Sequence, residues 1–250
     1  MADIFTVQSM IALLTLTILE IVLGVDNIIF LAIVTQDVPK DQQGMVRRLG
    51  LGLALIGRIG MVLGLSWLLG LDAELFSLLG HGFSAKDVIL LAGGLFLTYK
   101  AVTEIFKTTE LQDDDEAENP AKASKGTMAA IVLQIMIVDM VFAIDSVLTA
   151  VGLTQQYVLI IIAMTIAIGA MMFFATPLAD FIHEHPSLKV LALAFLVLVG
   201  VLLIADGFGE EIDRNYVYFA ILFSLGVEAL NFRRQANLAK LKAAEKAANA

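Results

Sequence analysis

Four acidic residues in two apolar segments are the side chains of this sequence best placed to do chemistry. Glu20 and Asp26 lie in EIVLGVDNII, and Asp139 and Asp145 lie in DMVFAIDSVL. Each segment has an acid, five apolar or small residues, a second acid and then a small polar residue. In a membrane span each charge costs about 2.5 to 3.5 kcal/mol on insertion scales, so such acids bind ions or protons, or form buried pairs that lock helices together. The repetition of the pattern favours ion coordination.

The neighbours of these acids indicate a class of ion. Asn27 and Ser146 follow the second acid of each segment and would add neutral oxygen ligands, although either could instead form a helix–helix hydrogen bond. An oxygen-only site suits Mg²⁺, Ca²⁺ or Mn²⁺. It disfavours zinc and copper, because the chain has no cysteine and the apolar segments contain no histidine. Met140 would add a soft ligand that favours Mn²⁺, or it packs against another helix. The oxygen ligands alone do not choose among these cations.

Three further charged residues lie in apolar segments. Arg58 either closes the acidic site when no ion is bound or is a permanent counterion. Lys100 and Glu104 are four residues apart, which predicts a structural pair on one helix, and Lys100 can also extend to the membrane surface. With the four acids of the repeated pattern they make five acids against two bases. Cations or protons must therefore neutralise the formal excess of negative charge.

Two other polar motifs carry weaker signals. His183 and His185 in HEHP lack the spacing of a metalloprotease helix, so a solvated turn is predicted there. The DDDE run at 113–116 lacks the ligand spacing and the glycine of an EF-hand loop. We interpret it as part of a solvated linker.

The elements that carry these residues are predicted from hydropathy. The 250 residues are 59% hydrophobic and 16% charged, with a mean hydropathy of +0.86, which is typical of an integral membrane protein. Seven apolar runs are long enough to be transmembrane helices. They cover residues 8–35, 48–70, 87–107, 127–153, 156–180, 188–206 and 215–232. The predicted fold class is therefore an all-α membrane protein with seven transmembrane helices.

The distribution of basic residues predicts the topology. Of the 16 Lys and Arg residues, all but Arg58, Lys100, Lys86 and Arg214 fall on one side of the predicted spans. By the positive-inside rule the C-terminus lies in the cytoplasm and the N-terminus outside the plasma membrane, which in bacteria is the inner membrane. The first span carries Asp3 before it and no basic region, so we expect a retained helix and not a signal peptide.

The acidic pattern also predicts an internal repeat. Each half contains three spans, an odd number, so its two copies cross the membrane in opposite directions, as in many secondary transporters. The predicted units are a first repeat, an acidic cytoplasmic linker, a second inverted repeat, and a seventh helix with a basic tail. Their boundaries are 1–107, 108–126, 127–206 and 207–250.

The helical period constrains how both acids of one span can face one site. Six residues turn an ideal helix by about 240°, so a break between the acids is expected at Gly24 and at Ala143. Opposed helices would then form two acidic levels. One level pairs Glu20 with Asp145, and the other pairs Asp26 with Asp139.

The segments EIVLGVDNIIF and VDMVFAIDSV resemble the paired motifs of the TerC family of integral membrane proteins, and the likeness covers essentially all seven spans. Several members of that family are regarded as manganese exporters. The resemblance implies a ligand role for Glu20, Asp26, Asp139 and Asp145, and Mn²⁺ efflux as the leading activity. Other members have different proposed roles, including assistance to membrane-protein insertion.

Two functions are therefore expected in order. The first is a secondary transporter that exports a divalent cation, with Mn²⁺ as its substrate and protons as the exchanged ion. The second is a non-transporting membrane scaffold in the tellurite or metal-stress response or in membrane-protein assembly. No nucleophile–base pair or phosphate loop indicates an enzyme, no resident cofactor is expected, and the net charge of −9 argues against a nucleic-acid partner. The oligomeric state is left open.

Overall fold

A computed structural model of the chain describes residues 6–78, 81–110, 125–154, 156–210 and 212–248. This part of the chain forms nine α-helices and one two-stranded sheet. The helices are α1 (Val7–Leu23), α2 (Val25–Val34), α3 (Lys40–Leu63), α4 (Leu65–Gly70), α5 (Ala85–Thr109), α6 (Lys125–Leu153), α7 (Tyr157–Glu184), α8 (Pro186–Gly207) and α9 (Arg214–Ala248).

Six of the described segments are long and apolar enough to cross a membrane. They are Val7–Val34, Ala85–Thr109, Met128–Leu153, Tyr157–Glu184, Pro186–Gly207 and Asn215–Leu238. The predicted second span, 48–70, is helical but divided between α3 and the short α4. Helix α3 has 24 residues and is about 36 Å long, which is enough to cross a membrane. With Arg47, Arg48 and Arg58 it is too polar to be one of the candidate membrane spans. The structure thus supports six of the seven predicted spans.

The first span has the break expected at Gly24, and the fourth does not have the break expected at Ala143. The N–H of Gly24 bonds to the carbonyl of Ile21 at 3.2 Å, three residues back, which ends α1 before α2 begins. A Cβ at Gly24 would lie 1.7 Å from Met171 Cε of α7, so a larger residue there would require the Met171 side chain to move. Helix α6 continues through Ala143 without interruption, so the prediction there was wrong. A small residue alone does not open a helix whose backbone bonds are otherwise satisfied.

A buried arginine connects α2 to α3. Arg47 is 2% exposed, and its Nε and Nη2 atoms donate to Thr35 Oγ1 and Gln43 Oε1, both at 2.9 Å. Thr35 Oγ1 in turn donates to the carbonyl of Leu31 at 2.8 Å. Arg47, one of the basic residues on the predicted cytoplasmic side, thus holds the end of the first span against α3.

A short β-hairpin, which the sequence analysis did not predict, precedes α5 in this otherwise helical structure. Strand β1 (Glu74–Leu78) pairs antiparallel with β2 (His81–Ser84), and the rings of Phe76 and Phe83 stack with centroids 5.4 Å apart. Pairing of the two strands satisfies their backbone N–H and C=O groups. The hairpin is too short to be found by a search for apolar runs of membrane length. At its end Ser84 and Asp87 form a reciprocal capping box that fixes the first residue of α5.

The helices pack in pairs drawn from the two halves of the chain. Helices α1 and α2 lie against α7, α3 lies against α6 and α7, and α5 lies against α8. The α5–α8 contact is the tightest, because a Cβ on Gly94 would come 2.6 Å from the carbonyl oxygen of Gly200. Helix α9 packs on α8 through the apolar cluster that includes Phe195, Val217 and Ile221. Much of the rest of its apolar surface is exposed, as expected of a helix that faces lipid.

Candidate ion-binding site

Arg58 of α3 lies between two buried carboxylates from different helices. Its Nη1 atom is 2.6 Å from Glu20 Oε2 of α1, and its Nε and Nη2 atoms lie 2.9 Å from the two oxygens of Asp139 on α6. Nη1 is also 3.5 Å from Ser146 Oγ. Glu20, Arg58 and Asp139 are each at most 4% exposed. The two-pronged contact with Asp139 suits the fixed fork of the guanidinium.

Asn27 joins the same group from the other side of the break at Gly24. Its Nδ2 atom donates to Asp139 Oδ1 at 2.8 Å, and its side chain is 5% exposed. The residue in direct contact with Asp139 is therefore Asn27, next to the Asp26 that was predicted to pair with it. Arg58 bridges Glu20 and Asp139, a connection between the two first acids that the sequence analysis did not predict.

Two buried oxygen atoms of this cluster have no hydrogen-bond partner among the described residues. They are Glu20 Oε1 and Asn27 Oδ1. A buried polar atom without a partner costs about 1 to 3 kcal/mol, and more if it is charged. Both atoms are acceptors, so the missing partner is a proton donor or a cation. Oxygen acceptors of this kind match the hard divalent cations expected from the sequence.

A cavity of about 20 Å³ lies beside this cluster. Its polar lining comes from Asp26, Arg58, Ser146, Asp206 and Tyr218. A space of that size holds one water molecule or one ion without its hydration shell. Asp26 therefore faces the cavity, while Glu20, six residues earlier, binds Arg58 at its side. The break at Gly24 lies between these two acids.

Asp206 and Tyr218 are polar lining residues that the sequence analysis missed. Asp206 stands at the end of the predicted sixth span, where a charged residue is usually read as the point at which the helix leaves the membrane. Tyr218 resembles the many aromatic residues found near membrane surfaces. The position of Asp206 in LLIADG, in the last turn of an apolar helix, is the sequence feature that could have indicated it.

The remaining predicted residues fall at different places. Asp145 belongs to α6, and its side chain lies outside the described part of the structure. Glu104 Oε1 lies 3.4 Å from Lys189 Nζ of α8, so this acid has an interhelical partner in addition to the neighbours on its own helix. Lys100 lies one turn before it on α5 and is partly buried. The partners that Glu104 shows are thus Lys189 and, at 4.0 Å, Lys107, and its predicted pairing with Lys100 stays a prediction.

The described residues hold no group of three or more histidine, cysteine, aspartate or glutamate side chains arranged to bind a metal ion. His185 instead bonds through Nδ1 to the carbonyl of Phe181 at 2.8 Å. The DDDE run and most of the predicted linker, residues 111–124, lie outside the described residues. An ion at the Arg58 cluster would thus use two carboxylates together with amide, hydroxyl or backbone oxygens.

The family model described as "Integral membrane protein TerC family" matches residues 5–242. The chain belongs to the TerC family. The match includes both acidic motifs and every residue of the Arg58 cluster. It agrees with the family resemblance drawn from the two motifs and with a location in a membrane.

Curated TerC-like relatives are similar over nearly the whole chain. A UPF0053 protein of Haemophilus influenzae is 45% identical over 226 residues, which are 90% of this chain and 94% of that protein. The UPF0053 inner membrane protein YgdQ of Escherichia coli K12 is 44% identical over 89% of this chain and 92% of the relative. YoaE, a UPF0053 inner membrane protein of the same organism, is 42% identical over 88% of this chain but only 42% of its own length. No solved structure matches the chain significantly.

Proposed function

We propose that this TerC family protein is a secondary transporter that exports a divalent cation, Mn²⁺, in exchange for protons. The observation that carries the proposal is the pair of unpartnered buried oxygens, Glu20 Oε1 and Asn27 Oδ1, beside Asp139 and a cavity. Buried acceptors of this kind are costly in a protein that serves only as a scaffold. They become useful if a cation or a proton visits them.

The charge balance supports this activity. Arg58 contacts both Glu20 and Asp139, so one cation is shared by two buried anions. Asp26 and Asp206 add two further carboxylates at the cavity. A divalent cation or two protons would offset much of this negative charge, and alternation between the two is what cation–proton exchange requires.

Arg58 supplies a reason for the ion-free state to be stable. In the arrangement described, its guanidinium bridges Glu20 and Asp139 and also lines the cavity, so a cation that enters the cavity would compete with it for these carboxylates. Entry of Mn²⁺ would displace the guanidinium from one carboxylate, and Arg58 would return when the ion leaves. This favours the first of the two roles considered for Arg58, an internal cation that closes the empty site.

The packing supports an inverted repeat as the basis of alternating access. If the first span (α1 and α2) corresponds to α6, then α3 corresponds to α7 and α5 to α8. Exchanging the halves turns the contact of α1 and α2 with α7 into the contact of α6 with α3, and both contacts are present. The contacts of α3 with α7 and of α5 with α8 each join a helix to its own counterpart, so exchanging the halves leaves them unchanged. A fold of two equivalent halves can open to either side of one central site.

The choice of Mn²⁺ and of the outward direction rests on the family resemblance. The ligands present, carboxylates with an amide and a hydroxyl oxygen, suit Mn²⁺, Mg²⁺ and Ca²⁺ alike. If the N-terminus lies outside, as the basic residues predict, the end of α8 and the start of α9, which line the cavity, lie toward the non-cytoplasmic side, where an exported ion would leave.

The test is Mn²⁺ flux in liposomes that contain the purified full chain. Transport should depend on the protein, should be driven by an opposed proton gradient, and should fall to background in the double variant Asp26→Ala, Asp139→Ala. Glu184→Gln removes an exposed acid at the end of α7 and should transport as the wild-type protein does.

Two results would refute the proposal. One is Mn²⁺ flux equal to that of empty liposomes for the wild-type protein. The other is full flux in the Asp26, Asp139 double variant. Parallel measurements with Mg²⁺ and Ca²⁺ would identify the cation if transport occurs but Mn²⁺ is not preferred.

A further inference from the structure

The helices around the cavity form two groups that differ from the two halves of the sequence. In the first group α1 and α2 pack on α7, and α3 packs on α6 and α7. In the second group α5 packs on α8. The largest interfaces therefore join helices within a group, and only smaller ones, such as α2 with α8 and α5 with α6, connect the groups.

The cavity lies on the boundary between these groups. One wall is built by Asp26, Arg58 and Ser146 of the first group. The opposite wall contains Asp206 of α8, with Tyr218 contributed by α9. A space bounded by two separately packed groups is a common position for a ligand, because small movements of the groups open and close it.

Asp206 is held firmly in the second group. Gly207, the next residue, packs so closely on α5 that a Cβ there would lie 2.6 Å from Leu91 Cγ. Phe208 then meets Phe83 of the hairpin edge to face, with ring centroids 6.0 Å apart. These contacts on both following residues set the position of the Asp206 carboxyl relative to α5 and the hairpin.

We propose that Asp206 is a ligand of the transported cation, which binds in the boundary cavity between Asp206 of α8 and Asp26 of α2. This inference rests on the proposed function and adds a ligand from the half of the cavity that the repeated acidic motifs do not supply. Two carboxylates from opposite walls, with the hydroxyl of Ser146, form an oxygen set that a hard divalent cation prefers. Because the cavity admits one unhydrated ion, both walls would contact the same cation.

Two observations beside the carboxylates themselves support a cation in this place. The guanidinium of Arg58 lines the cavity and is bonded to Glu20 and Asp139. Its single positive charge is therefore divided between two acids, and Asp26 and Asp206 add two more negative charges nearby. Glu20 Oε1, on a side chain 1% exposed and in contact with Arg58, lacks a hydrogen-bond partner among the described residues. Glu20 lies behind Arg58 and not in the cavity lining, so a cation in the cavity would act on it through the guanidinium that they share.

The absence of cysteine from the sequence allows a direct test with Asp206→Cys in the purified full chain. The new thiolate would be the chain's single thiolate, and Cd²⁺ bound to it gives a thiolate-to-metal charge-transfer absorption in the ultraviolet. We expect a saturable Cd²⁺ signal that Mn²⁺ competes away. Adding Asp26→Asn should weaken Cd²⁺ binding by about tenfold or more, since an opposing ligand is lost.

Glu210→Cys is the matched control, because Glu210 is exposed and lies four residues further along the chain. The proposal is overturned if Asp206→Cys binds Cd²⁺ no better than this control, or if neither Mn²⁺ nor Asp26→Asn affects the signal. In a second series, Asp206→Glu keeps a carboxylate and should retain Mn²⁺ affinity within about tenfold, whereas Asp206→Asn should lose more. Equal affinity of Asp206→Asn and the wild-type protein also overturns it.

These outcomes are separable from those for transport. If wild-type liposomes transport Mn²⁺ but Asp206→Cys fails the Cd²⁺ test, the transporter stands and Asp206 is not a ligand. If Asp206→Cys passes the Cd²⁺ test while the wild-type protein moves no Mn²⁺, the ligand assignment stands and the transport function fails.

Discussion

Asn27 donates its side-chain N–H to Asp139 Oδ1 at 2.8 Å, across a separation of 112 residues in the chain. Asn27 follows the second acid of its motif, whereas Asp139 is the first acid of its own. The two residues therefore hold non-equivalent positions in the repeated motif. A contact between non-equivalent positions is what antiparallel copies of one motif produce when they meet. The hydrogen bond thus links the two halves of the chain at the centre of the candidate site.

Asn27→Ala should weaken both the fold and ion binding. Hydrogen bonds between membrane helices contribute about 0.6 kcal/mol on average and up to about 1.7 kcal/mol, so a loss of about 1 kcal/mol in unfolding free energy is expected. Unfolding in mild detergent measures it. Thr165→Ala is the control, because Thr165 bonds only to the carbonyl of Ile161 on its own helix and is exposed. A larger loss in Thr165→Ala than in Asn27→Ala would contradict the role of the contact.

Arg58→Gln should destabilise the metal-free protein and make it more responsive to Mn²⁺. Removing one partner from a buried ion pair costs about 3 to 5 kcal/mol, because the remaining charges are uncompensated. A cation bound in place of the guanidinium would restore part of that loss, so saturating Mn²⁺ should raise the melting temperature more in the variant than in the wild-type protein. Thermal unfolding with and without Mn²⁺ measures the difference.

Arg48→Gln on the same helix is the matched control, because Arg48 is exposed. Its stability and its response to Mn²⁺ should equal those of the wild-type protein. If Mn²⁺ stabilises Arg58→Gln and the wild-type protein equally, then Arg58 and the ion do not compete for the same carboxylates.

The acids of the site were predictable from sequence because membrane-length apolar runs make buried charge conspicuous. Glu20 and Asp139 were found in that way, and the helical period placed a break at Gly24, where the structure has one. The contact of Arg58 with both acids was not predictable, since the residue lies in a third segment and no spacing rule connects it to the others. Its burial at 2% exposure follows from the packing of α3 against α6.

Other features were missed because they depend on packing between distant segments. Asp206 lines the cavity because α8 crosses α5 closely, and sequence alone gives no measure of that crossing. The hairpin around Phe76 and Phe83 was invisible to a search for long apolar runs. Helix α3 was predicted as a span from its apolar half, although Arg47 and Arg48 at its other half leave it too polar to qualify.

Gly24→Ala should destabilise the protein, and it should cost less in a Met171→Ala background than in the wild-type protein. The added Cβ would lie 1.7 Å from Met171 Cε and 2.8 Å from its Sδ, and Met171 is 2% exposed, so it has little freedom to move. Overpacking of this kind costs about 1 to 3 kcal/mol. The double variant, Gly24→Ala with Met171→Ala, removes the two clashing Met171 atoms, and its stability is compared with that of Met171→Ala alone; the carbonyl oxygen of Glu20, 2.9 Å from the added Cβ, remains.

Gly60→Ala is the control for that substitution, because nothing lies within 4 Å of a Cβ at Gly60. It should be neutral or stabilising, since alanine is favoured over glycine in a helix by up to about 1 kcal/mol. Equal stabilities of Gly24→Ala and Gly60→Ala would mean that α1, α2 and α7 are not packed as described.

Gly200→Ala should separate α8 from α5 and weaken ion binding at a distance. A Cβ at Gly200 would lie 2.4 Å from Thr98 Oγ1 and 2.9 Å from the carbonyl oxygen of Gly94, and the second of these atoms belongs to the backbone and cannot rotate away. Loss of about 1 to 3 kcal/mol in unfolding free energy is expected. Because Asp206 is carried by the same helix, its carboxyl would shift with α8 and the affinity for Mn²⁺ should fall.

Thr98→Ala in the same chain would remove the first clash but not the second, so it should restore stability only in part. Gly169→Ala, where nothing lies within 4 Å of the added Cβ, should alter neither stability nor affinity. A Gly200→Ala protein that loses stability but keeps its Mn²⁺ affinity would show that the ion is held by the α1–α2, α3 and α6 side of the cavity alone.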